Sequence, residues 1–101
     1  MKKVRITAIR RTEYPDLIEQ YEQPLLVPCT MEVGMVLISE NAERPRGLCP
    51  IAWSETLEPF VRTLAEGGGS FYGEWMKDPH SAMVSCNDGF RPLSFLLEAL
   101  D

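Results

Sequence analysis

Apolar residues recur at Trp53, Leu57, Phe60, Val61 and Leu64. That spacing puts them on one face of an α-helix. Ser54, Glu55, Glu58, Arg62 and Glu66 fall mostly on the opposite face. Pro50 suits the first helical position, where a missing N–H loses no intrahelical partner. Gly67-Gly68-Gly69 supplies a residue that can turn left-handed and end the helix. Pro59 lies inside the pattern and predicts a kink or break near Glu58, so the element reads as two short helices sharing a face.

The rest of the chain reads as strand and turn. Residues 2–11 alternate Val4, Ile6 and Ala8 with Arg5, Thr7 and Ile9, the pattern of a half-buried strand. Leu17, Ile18 and Tyr21 mark a short helix that starts near Pro15 and ends before Pro24. Residues 23–30 hold Pro24 and Pro28 and read as extended or irregular, with Cys29 inside. Glu32-Val33-Gly34 turns into a second strand over 35–39, apolar on both faces as a central or covered strand would be. Residues 40–46 are a polar surface loop. Phe71 to Met76 is aromatic without a clear period, a helical turn or a loop over the core. A third strand spans 81–86. Asn87-Asp88-Gly89 is a hairpin signal, since such residues tolerate positive φ. Beyond it, Leu93, Phe95 and Leu97 alternate as a strand, while Leu93, Leu96, Leu97 and Leu100 fit a helix; periodicity alone leaves both open.

With Cys49-Pro50-Ile51-Ala52-Trp53, Trp75-Met76 and Cys86-Asn87-Asp88-Gly89-Phe90-Arg91-Pro92 in view, the chain resembles a family of short prokaryotic proteins. Three features define that family in this order: a Cys-Pro-x-Ala-Trp helix start, a Trp-Met element and a Cys-x-Asp-Gly-x-Arg-Pro hairpin. The strand Val4-Arg5-Ile6-Thr7 and the Pro28-Cys29 pair match as well, so the resemblance covers nearly the whole chain. It implies that the last segment is a strand, although that segment is Leu-rich here where the family is β-branched. It implies no activity. The resulting expectation is a single α+β domain over 1–101, an antiparallel sheet of three to four strands with the Cys49 helix packed on one face.

At 101 residues, 45% hydrophobic and 25% charged, the chain suits one soluble core. No apolar run approaches the roughly 20 residues that span a bilayer, and the basic start leads into a strand pattern instead of a signal-peptide core. Cytoplasm and no membrane partner are the expectations. The net charge of −5 is uneven: Lys2, Lys3, Arg5, Arg10 and Arg11 are half of the ten basic residues, leaving five against fifteen acidic ones beyond residue 11. An acidic body argues against nucleic acid, which needs clustered basic residues. The basic strand can instead pair with acidic residues of its own chain or of a dimer partner.

Cys29, Cys49 and Cys86 are odd in number and widely spaced, so reduced thiols are expected in place of a disulfide framework. With His80 they have Cys₃His composition, but no Cys-x-x-Cys pair supports a zinc site, and no metal or cofactor is expected. Cys49 sits at the predicted helix start, where first-turn N–H groups would favour a thiolate, which makes it the foremost reactive-thiol candidate before Cys86 and Cys29. Trp53, Trp75, His80 and Arg91 are candidates for a pocket, with core packing the plainer role for the tryptophans. No catalytic set is present, and the glycine triplet follows a helix instead of opening one, so it is no phosphate loop. Two functions remain. One is a small non-catalytic binding or accessory module for a protein or small molecule, homodimeric because a small sheet has open edges. The other is a thiol-based redox or metal-binding protein using Cys49 with Cys29 or Cys86.

Overall fold

A computed structural model describes residues 1–24 and 29–101. In chain order the elements are β1 (Val4–Arg11), α1 (Pro15–Tyr21), β2 (Val36–Ser39), α2 (Pro50–Ala52), a π-helical turn (Trp53–Leu57), α3 (Glu58–Ala65), β3 (Ser81–Ser85) and β4 (Leu93–Ala99). The strands form one antiparallel sheet in the order β2-β1-β4-β3. The expected α+β architecture is therefore present with four strands. Of the irregular stretch expected over 23–30, residues 25–28 lie outside those described.

The final segment is a strand, and a central one. Leu93, Phe95 and Leu97 face the core together with Val4, Ile6 and Ala8 of β1 and Ala82 of β3. Against this face pack Ala52, Trp53, Leu57, Val61, Leu64 and Ala65 of the helical segment. Continuous burial on both sides of the layer boundary is the main stabilising term, at about 25 cal/mol per Å² of apolar surface removed from water.

Three expectations need correction. The helix does not break near Glu58: α2, the π turn and α3 run on without interruption over 50–65. Glu58 N–H bonds to Trp53 O, five residues back. The wide turn ahead of Pro59 takes up the irregularity that a proline imposes on an α-helical ladder. The helix ends as the glycines predict. Gly67 N–H meets Leu64 O at 3.1 Å and Gly68 N–H meets Thr63 O at 2.9 Å, with Gly67 at φ +89°, a Schellman cap.

Second, β2 is not a central strand. It lies at the sheet edge, and Val36 and Ile38 are 54% and 39% exposed on the face the helix leaves open. Third, Asn87-Asp88-Gly89 does not make a tight left-handed turn, since Gly89 is not among the residues of positive φ. The β3–β4 connection is longer, and the Asp88 carboxylate orders it by accepting from Phe90 N–H at 2.8 Å and Arg91 N–H at 3.2 Å.

The basic strand pairs within its own chain, Lys3 with Glu40 at 3.1 Å and Arg5 with Glu98 at 3.2 Å. Such solvent-exposed pairs contribute about 1 kcal/mol or less each.

Candidate functional site

The site starts from an irregularity in β1. The pairing of β1 with β4 shifts between Ala8 and Arg10, so that Ala8 faces Phe95 while Arg11 faces Leu93. In an unbroken strand Arg11 would lie on the opposite face from Ala8. The extra residue of this β-bulge turns it to the core side. There its guanidinium donates to Met31 O at 2.9 Å and Arg91 O at 3.3 Å, and lies 3.8 Å from Cys29 Sγ. Arg11 thus ties the segment carrying Cys29 and Met31 to the β3–β4 connection. Arg91 continues the tie, donating to Glu22 Oε1 at 2.6 Å, in a pair whose side chains are only 26% and 12% exposed.

These struts enclose a cavity of about 180 Å³. Cys29, Cys49 and Cys86 all line it, beside Met31, Ile51, Ala52, Leu93 and Phe95, with Arg11, Asn87, Asp88 and Arg91 at its walls. Cys49 arrives from the helix start, Cys86 from the end of β3 and Cys29 from the stretch before β2. All three are free thiols; Cys29 is exposed, Cys49 and Cys86 half-buried. Leu93 N–H donates to Cys86 Sγ at 3.3 Å while Cys86 N–H donates to Leu93 O at 3.0 Å, so the Cys86 thiol closes the end of the β3–β4 ladder.

Cys49 occupies the N-cap as expected, but its thiol makes no capping hydrogen bond to the first turn. Only its backbone carbonyl joins the helix, accepting from Trp53 N–H at 3.0 Å. The expected contact between its sulfur and the first-turn N–H groups is not made, and the side chain lines the cavity instead. Among the described residues no three His, Cys, Asp or Glu side chains come close enough together to hold a metal ion.

Trp53, Trp75, His80 and Arg91 do not share a pocket. Trp53 is 7% exposed within the core. Trp75 stacks edge-on with Tyr72, centroids 5.3 Å apart, beside Phe60. His80 sits in the turn before β3, its backbone N–H donating to Asp78 Oδ1 at 2.9 Å and its Nδ1 lying 3.4 Å from Gly68 O. Only Arg91 reaches the thiol cavity.

Sequence reasoning missed Arg11 and Met31. Arg11 reads as a solvated strand residue, and only the bulge redirects it. Met31 carries no local signal, although it is 6% exposed.

The chain matches no family model, curated protein or solved structure.

Proposed function

We propose that the protein is a small binding module whose working site is the thiol-lined cavity, and that it takes a small, soft, largely apolar ligand. One observation carries this reading: three cysteines from separate segments line the same cavity. The ionised side chains there are already engaged, Arg11 on two backbone carbonyls, Arg91 on Glu22, and Asp88 Oδ1 on the N–H groups of Phe90 and Arg91. Apart from these and the Asn87 side chain at the wall, what lines the cavity is sulfur and hydrocarbon. Soft thiol and thioether groups prefer soft, polarisable partners. The volume is below the roughly 300–1,000 Å³ of pockets that hold drug-sized molecules, so the ligand is fragment-sized. Free thiols around one cavity suit a reducing compartment, and the cytoplasm is part of this reading.

Phenylmercuric acetate tests it, being small, apolar and thiophilic. One equivalent should bind and slow the alkylation of the other two cysteines by N-ethylmaleimide about tenfold, or about 1.4 kcal/mol, as read by mass spectrometry of each cysteine peptide. Three independent binding events, with no mutual protection, would sink the reading.

The same convergence favours a second reading, thiol redox chemistry. Two thiols would join as a disulfide, losing two electrons and two protons to a peroxide that is reduced to water. Exposure to hydrogen peroxide followed by peptide mapping distinguishes the two. A specific Cys49–Cys86 link supports redox use, and overoxidation of Cys29 alone refutes it.

A further inference from the structure

A second surface lies elsewhere, sharing no lining residue with the thiol cavity. A groove of about 450 Å³ runs between the helix and β3, lined among others by Glu55, Phe60, Tyr72, Trp75, Met83 and Ser85. Phe60 gathers the aromatic side chains: Phe71 at 5.0 Å, Tyr72 at 6.5 Å and Trp75 at 6.4 Å between centroids. Yet Tyr72 is 78% exposed and Trp75 43%. Ser70, Tyr72 and Gly73 take positive φ values of 54°, 52° and 79°, and a bulky non-glycine residue in that region carries a conformational cost. The loop is also pinned from behind, because a Cβ on Gly69 would lie 2.2 Å from Pro79 O. The backbone is thus held in an unfavourable conformation that leaves two aromatic rings exposed to water.

Beside these rings runs an open strand edge. β3 is the outermost strand on its side of the sheet. Ala99 N–H donates to His80 O and Cys86 N–H to Leu93 O. Given the register of β3 on β4, the even-numbered residues of β3 therefore bond to β4 and the odd-numbered ones face outward. Ser81 N–H is taken by Asp78 O at 3.2 Å. Among the described residues, the N–H and C=O groups of Met83 and Ser85 have no strand partner.

We infer that this edge and groove receive an extended, basic and apolar peptide segment of another protein, added as a fifth strand alongside β3. Main-chain pairing to Met83 and Ser85 supplies the register, and the aromatic groove takes alternate side chains, as in strand addition generally. The charge of the occupant follows from the lining. Among the described residues Glu55 is the only charged side chain lining it, so a Lys or Arg on the peptide is favoured, aided by the faces of Trp75 and Tyr72. A second copy of this chain fits less well, since it brings a net charge of −5 to a groove that already carries Glu55, and like charges across an interface disfavour it.

A random heptapeptide library displayed on phage and panned on the whole protein tests the inference. The selected sequences should place Lys or Arg among alternating apolar residues. A synthetic peptide of the selected sequence should slow hydrogen exchange at the Met83 and Ser85 amides. It should bind the Tyr72→Ala/Trp75→Ala double variant at least about tenfold more weakly. Both side chains are exposed, so the double variant should keep the wild-type circular dichroism; a variant that does not is replaced by Glu55→Lys, which should weaken binding similarly. A library without binders, sequences without basic enrichment, or binding indifferent to these substitutions overturns the proposal. So does a dimer in sedimentation that Met83→Pro dissociates, which would give the edge to a second copy.

Discussion

Arg11→Ala is the sharpest test of how the cavity is held together. Arg11 joins three pieces of chain: β1, the segment with Met31, and the β3–β4 connection at Arg91, through hydrogen bonds of 2.9 and 3.3 Å to backbone carbonyls. Removing the guanidinium leaves both carbonyls without that donor. Bonds from charged donors contribute about 1.5–3 kcal/mol when fully buried. These are part-buried and water can replace some of the loss, so about 1 kcal/mol each, or about 2 in all, is the working figure. For a domain of this size that lowers Tm by roughly 8–16 °C, measurable by circular dichroism. A local readout accompanies it: Cys49 and Cys86, now half-buried, should alkylate several-fold faster once the wall loosens. Arg11→Lys separates charge from shape, since an ammonium on a flexible stem does not reproduce a planar fork reaching two carbonyls. It should recover less than half of the loss. A change in stability below about 0.5 kcal/mol, the range of ordinary surface substitutions, with unchanged thiol reactivity, would refute the strut. Full rescue by lysine would reduce it to a charge effect.

Two further substitutions test particular turns. Gly67→Ala should cost about 1–2 kcal/mol in chemical denaturation: φ there is +89° and a Cβ would meet nothing within 4 Å, so the cost is backbone strain alone. Asp88→Ala should cost about 1–2 kcal/mol by removing the acceptor of two N–H groups, whereas Gly89→Ala should stay within about 0.5 kcal/mol. The reverse ranking would restore the left-handed hairpin that the sequence suggests.

The long helix and β1 were legible because each has a periodic face that the other layer buries. The final strand was legible only in part: its leucines satisfy both periods, and central placement between β1 and β3 decided for the extended form. The position of β2 was misread for a definite reason. Val36 and Ile38 are apolar yet sit on the uncovered face of an edge strand, and an apolar residue does not announce that nothing covers it. The thiol cavity was legible least of all. Candidate thiols can be named from a sequence, but three segments with no shared motif meet only through the sheet order, the bulge in β1 and the Arg11 tie. The grouping of Trp53, Trp75, His80 and Arg91 failed similarly, because residue type suggests a role and says nothing about proximity.

Two one-residue irregularities bring that cavity into being. In β1 the bulge between Ala8 and Arg10 changes the face of everything after it, so Arg11 points inward while Ile9 is exposed. In the helix, the π turn adds a residue between Ala52 and Leu57, and both remain buried five positions apart. A regular α-helix separates such positions by about 140° in angle, and the wide turn brings them back to one side. The helix start, with Cys49 and Ala52, therefore stays over the ends of β1 and β4 even though α3 has its own buried face at Val61 and Leu64. The wide turn also precedes Pro59, whose ring would otherwise meet the carbonyl four residues earlier. The proline that reads as a helix breaker is thus accommodated by the same feature that keeps the helix start over the cavity, consistent with the frequent occurrence of π-bulges at functional sites.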